Sequence, residues 1–159
     1  MIGRIIRRIA VAFIAIIGIS AAAAIVAKRS IVSAGGPDSD EIELAAIFDS
    51  VALDSQASSF RGGSLLCWFG GGTLDLRGAT LDPAGARLTI RTIFGGGVLV
   101  VPDDWAVDLQ VIGIMGGVGD GRDGRGRPAD APRLVVDGFA FFGGFGISSR
   151  PPNADELDA

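Results

Sequence analysis

Residues 9–27 run for 19 positions without a charge, with Arg7 and Arg8 before them and Lys28 and Arg29 after. As a helix the stretch measures about 28 Å at 1.5 Å per residue, close to the ~30 Å hydrocarbon thickness of a bilayer, so it predicts a single membrane span. A cleaved signal peptide is the competing reading, because an arginine-rich start followed by a run of alanines suits one as well. The apolar stretch is longer than the usual h-region and a positive pair follows it at once, which favours a retained anchor over residues 1–29. The arginines before the span place the N-terminus in the cytoplasm and the remainder of the chain outside.

After the span the pattern changes. Residues 33–40 are turn formers and polar residues, and residues 30–40 read as a linker. From Glu41 onward apolar and polar positions alternate as they do in strands. Leu88, Ile90 and Thr92 stand against Thr89 and Arg91, and Val107, Leu109 and Val111 against Asp108 and Gln110.

The alternation is punctuated by a repeated step, an apolar pair followed by two or three glycines. It occurs at Phe69-Gly70-Gly71, Phe94-Gly95-Gly96, Met115-Gly116-Gly117 and Phe142-Gly143-Gly144, with a degenerate first copy at Ile47-Phe48-Asp49-Ser50. Positions 48, 69, 94, 115 and 142 are 21, 25, 21 and 27 apart, a period that marks stacked repeat architectures. Each copy reads as two short strands with a bend between them. Glycine suits the bend because it accepts positive φ and lets neighbouring copies approach. The side chain before each glycine step is expected to stack on its counterparts. One copy cannot bury its own apolar face, so the expected fold is all-β: a short β-solenoid or a stack of β-hairpins over residues 41–149, behind one N-terminal transmembrane helix. Residues 119–132 read as a surface loop within it, and residues 150–159 as a disordered acidic tail.

Composition narrows the chemistry. The chain has 159 residues, 25 glycines, one cysteine (Cys67), no histidine and no tyrosine. Ser/His/Asp and Cys/His triads, His or Cys zinc clusters and an intramolecular disulfide are therefore excluded. Cys67 sits in an apolar run and reads as a buried, inert thiol. Beyond residue 30 there are nine basic residues against all 18 acidic ones, so phosphate backbones are repelled and nucleic acid is not an expected partner.

The letters Gly119-x-Gly121-x-x-Gly124 lack the following helix that would hold a pyrophosphate. The stretch from Gly116 to Asp120 is a single, incomplete likeness to calcium-binding nonapeptides. Asp103 and Asp104 read as turn formers. No cofactor, metal site or catalytic residue is expected, and the chain is read as non-enzymatic. Candidate interaction residues are Asp75 and Arg77, two apart on a strand and hence on one face, and Trp105, either a core plug or an anchor for a partner. Arg122, Arg125 and Arg127 read as a basic loop.

The segments Leu74-Asp75-Leu76-Arg77-Gly78-Ala79 and Val101-Pro102-Asp103-Asp104-Trp105-Ala106-Val107, joined by repeated Phe-Gly-Gly steps, resemble the C-terminal domain of the LiaF-like cell-wall-active antibiotic response proteins. The likeness covers residues 43–119. It implies a bacterial cell-membrane protein of the envelope stress response that acts on a membrane sensor protein, and the expected role of the β domain is to bind such a protein or a lipid-linked envelope ligand. The sequence departs from that family in having one span rather than several. A self-assembling, membrane-associated scaffold of bactofilin-like kind is the alternative expectation.

Overall fold

The computed structural model describes residues 2–29, 31–122 and 131–150. The chain divides into two units, residues 1–32 and 33–159. The first is a single helix, α1 (Ile2–Lys28), long and apolar enough to cross a membrane, with Lys28 in its last turn.

The second unit is built of strands. In chain order they are β1 (Glu41–Ile47), β2 (Ser50–Asp54), β3 (Gly62–Trp68), β4 (Gly71–Asp75), β5 (Ala86–Ile93), β6 (Gly96–Val100), β7 (Ala106–Ile114), β8 (Gly117–Asp120), β9 (Arg133–Phe141) and β10 (Gly144–Ser148). They form two five-stranded sheets, ordered β1-β3-β5-β9-β7 and β2-β4-β6-β10-β8. Every pairing between named strands is parallel. Consecutive strands lie in different sheets, so the repeated unit is a strand, a corner and a strand in the facing sheet, not a hairpin. Apolar side chains between the sheets make one core, with Ile42, Leu65, Leu88 and Ile90 meeting Leu74, Leu99 and Ile147. Cys67 lies fully inside it.

The five corners share one backbone conformation. Phe48, Phe69, Phe94, Met115 and Phe142 have φ between 48° and 53°, and among the described residues they are the only non-glycines with positive φ. Each costs about 1–2 kcal/mol for an L-residue. The bend is thus made by the bulky residue, and the sequence expectation that glycine supplies the positive φ is corrected.

The glycine that follows serves the second expected purpose, close approach. A Cβ on Gly70 would lie 2.2 Å from the Asp49 carbonyl oxygen, on Gly95 2.2 Å from that of Gly70, on Gly143 1.8 Å from that of Gly95, and on Gly116 1.8 Å from that of Gly143. All point toward the β1 end of the stack. Asp49 occupies the same position in the end unit, with no unit beyond it, which is why the first copy tolerates a side chain there.

Identical corners at strand spacing force identical side chains into register. The rings of Phe48 and Phe69 stack at 5.0 Å, Phe69 and Phe94 at 4.9 Å, and Phe94 and Phe142 at 5.1 Å, all within 6° of parallel. Stacked pairs contribute about 0.5–1.5 kcal/mol each beyond burial, which offsets part of the strain at the corners. Hydrogen bonds run through the turn as well: the N–H groups of Phe48, Phe69, Phe94 and Phe142 donate to the carbonyls of Trp68, Ile93, Phe141 and Ile114.

Two expectations about the chain's path are corrected. Residues 33–40, read as linker, are tied into the domain: Ala34 and Glu43 exchange backbone hydrogen bonds of 2.7 and 2.8 Å, the Pro37 carbonyl accepts from the Gln56 N–H, and the Asp40 carbonyl accepts from the Arg61 N–H. Turn formers here order the chain because β1 offers an edge to pair with. Gly119 and Asp120, read as the start of a loop, complete β8. Residues 123–130 and 151–159, the rest of the expected loop and nearly all of the expected tail, lie outside the described residues. The fifth unit in sequence, β9–β10, also inserts between the third and the fourth. The third unit therefore connects to the fourth across two strand spacings, about 9.6 Å.

Substitutions at one corner separate the two roles. Phe94→Ala keeps the strain and loses both stacking partners, and should cost about 2 kcal/mol in urea unfolding. Phe94→Gly also loses the stack but relieves the backbone, and should cost about 1 kcal/mol less. Gly95→Ala should cost about 3 kcal/mol or more, whereas Gly71→Ala, where a Cβ meets nothing within 4 Å, should stay within about 0.5 kcal/mol of the parent.

Candidate interaction surfaces

At the far end of β4 the alternation carries past the strand. Leu76 turns inward and is fully buried, so Asp75 and Arg77 emerge together as the sequence predicts. They pair with each other: Arg77 Nε lies 3.0 Å from both Asp75 carboxylate oxygens, Nη2 lies 2.7 Å from Oδ2, and the Arg77 N–H donates to Oδ1 at 3.0 Å. Burial pulls the Asp75 carboxyl upward, but hydrogen bonds from Arg77 and its charge outweigh that and leave it below its ordinary value. Asp82, which accepts from the Ala84 N–H and the Ser59 hydroxyl, is lowered too.

The same device recurs at the end of β8. The Arg122 guanidinium forks onto Asp120, with Nε to Oδ1 at 2.9 Å and Nη2 to Oδ2 at 2.8 Å, and its N–H donates to Oδ1 at 3.0 Å. Its Nη1 also donates to the Pro102 and Trp105 carbonyls at 3.3 and 3.2 Å. The side chain is 0% exposed, so Arg122 is a clamp on the 102–105 turn and not part of a basic surface loop. Arg125 and Arg127 lie outside the described residues. The signal was present in the sequence as two Asp-x-Arg triplets closing second strands. The fork also occupies the Asp120 carboxylate, the ligand that a calcium reading of this stretch would need.

Trp105 is half-buried and packs against the core. It lines a concavity of about 500 Å³ with Leu81, Asp104 and Pro132, so core plug and exposed edge are both present in one side chain.

The larger concavity, about 830 Å³, lies on the outer face of the second sheet. Its floor is made by the second glycine of each step, Gly71, Gly96, Gly117 and Gly144, with Gly146 beside them and Ala52, Thr73 and Val98 between. A Cβ on Gly71, Gly117 or Gly146 would meet nothing within 4 Å, and on Gly96 or Gly144 only a carbonyl oxygen at 3.6 or 3.5 Å. None has positive φ. Neither backbone conformation nor internal packing requires glycine at these sites, and the result is a trough floored by main chain. Treating the two glycines of each step as one feature hid this division of labour.

Among the described residues no group of three or more His, Cys, Asp or Glu side chains stands close enough to hold a metal ion. Burial pushes the Cys67 thiol up to about 11, which keeps it protonated and unreactive at neutral pH.

The two Asp-x-Arg forks should respond differently to truncation. Arg122→Ala takes the guanidinium from a partly buried carboxylate and from the Pro102 and Trp105 carbonyls and should cost about 3 kcal/mol, whereas Arg77→Ala, at a half-exposed pair, should be close to neutral. Because the Asp75 carboxyl is held low, its contribution is present above about pH 3.9 and is lost as pH falls through the folded value. Asp75→Asn should therefore be less stable than the parent at pH 7, with the difference shrinking below about pH 4 in urea unfolding.

Comparison of the chain with protein-family models, curated proteins and solved structures finds no match.

Proposed function

We propose that α1 anchors the chain in a bacterial cell membrane and that the parallel-stranded domain, a short β-solenoid outside the cytoplasm, is a non-enzymatic binding module of the envelope stress response. The observation that carries this reading is the bare trough of the second sheet. Side chains have been kept off a face where the fold would accept them, while the Asp75 and Asp120 carboxylates are committed to internal forks. A trough walled by small apolar groups and floored by backbone suits an extended chain, either a segment of a membrane sensor protein or a lipid-linked envelope ligand. The likeness to LiaF-like proteins supports the same role.

The scaffold alternative is favoured by one observation, the open outer edge of β7. The docking of Ala34 on β1 opposes it, because extension of that sheet into a filament needs both edges.

Two measurements test the binding reading. A compartment-dependent reporter fused at the C-terminus should be active outside, with full-length protein retained in carbonate-washed membranes. Gly146→Leu, which fills the trough without an internal clash, should fold like the parent and lose its ability to restore the response to cell-wall-active antibiotics in a deletion strain. Full restoration by a folded Gly146→Leu protein would exclude the trough as the functional face.

A further inference from the structure

The two ends of the first sheet are finished differently. At the β1 end, residues 33–36 lie across the edge. Ala34 pairs antiparallel with Glu43, the Ala45 N–H donates to the Ser33 hydroxyl at 3.0 Å, and a Cβ on Gly35 would lie 3.2 Å from the Ile42 side chain. Beneath this cover Ile42, Leu44 and Ala46 are 4% exposed or less.

At the other end β7 is the outermost strand, and among the described residues nothing pairs with its outer edge. Its inward side chains Val107, Leu109 and Val111 are only half-buried, although Leu134 and Val136, in register with Val107 and Leu109 one strand inward, are fully buried. Ile112, Ile114 and Met115 are 64%, 44% and 71% exposed. The corner ladder stops here too, since among the described residues no unit lies beyond the Met115 N–H. A nine-residue edge is long, and β7 carries none of the usual protections: it has no proline, lysine or arginine, and its one charge, Asp108, is hydrogen-bonded to Gln110. The pattern of β7 is self-complementary about Gln110, with Leu109 and Val111 on the inner face to either side of it and its one charge, Asp108, off centre.

We propose that a second copy of this chain covers β7, the two β7 strands pairing antiparallel about a two-fold axis so that the first sheet runs on through both molecules. The occupied β1 edge opposes head-to-tail growth of this sheet, and a two-fold contact at β7 uses the same patch on both copies, so assembly closes at two. Centred on Gln110, the pairing sets Leu109 against Val111 of the second copy on the inner face. On the outer face it sets Asp108 against Ile112 of the second copy. The two Asp108 carboxylates then stand about 14 Å apart along the strands. This inference is independent of the trough and of which partner it binds.

The full chain in native membranes, with Gln110→Cys, tests it. Residues opposite one another across an antiparallel pair have Cα atoms about 4.5–5.5 Å apart, within disulfide range, so mild oxidation should give a covalent dimer. Asp108→Cys, off the axis, and Glu43→Cys, at the covered edge, should not cross-link, and buried Cys67 leaves the parent as the blank. Adding Ile112→Asp to the Gln110→Cys chain sets a second carboxylate against each Asp108 and should lower the cross-linked yield about tenfold with unchanged thermal unfolding.

The proposal is overturned if Gln110→Cys stays monomeric. Equal cross-linking at Glu43→Cys, a ladder of higher oligomers, or a dimer that survives Ile112→Asp, as one held by α1 alone would, also overturns it.

Discussion

The domain depends on a bulky side chain held in the left-handed region at every corner. Phe48, Phe69, Phe94 and Phe142 each adopt a φ that an isolated L-residue avoids, and each is held there by neighbours in the same conformation. The glycine after each corner lets the next main chain approach to hydrogen-bonding distance, and the rings then fall into register at about the strand spacing. Strain and stacking are coupled, because a single corner has the cost without the compensation. That coupling is the physical content of the requirement for several copies.

Once the corners are in register, the remaining features follow from position within a unit. The first glycine of each step faces its neighbour and is obligatory. The second faces outward and is optional for the fold, so a run of second glycines marks a face kept open for another reason. At the opposite end of the units the return to the first sheet is longer and more varied, and there Asp-x-Arg forks satisfy backbone groups that no regular ladder reaches. Arg122 does this for the 102–105 turn at full burial, while Arg77 does less at a half-exposed site.

The interleaving of the last two units gives the stack unequal ends. Inserting β9 between β5 and β7 places the apolar β9 strand in the interior, fully paired on both edges, and leaves β7 outermost. Had the units stacked in chain order, β9 with Phe139 and Phe141 would have formed the edge. The chosen order buries the more aromatic strand and exposes the more aliphatic one.

The sequence by itself determined the local grammar. Alternation at Leu88, Ile90 and Thr92 announced strands, the 19 uncharged residues before Lys28 announced an apolar helix, and the period at positions 48, 69, 94, 115 and 142 located every corner, including the degenerate one. These features are set by side-chain polarity and spacing, which are readable along one dimension. Tertiary structure alone decided which residue of each step bends the chain, that residues 33–40 pair with β1, that Arg122 is buried, and that the fifth unit lies between the third and fourth. Each of these turns on what stands across the gap from a residue: a carbonyl 2.2 Å from an absent Cβ, a strand edge, or a turn whose carbonyls meet a guanidinium. A linear pattern carries no information about such neighbours until the chain has brought them together.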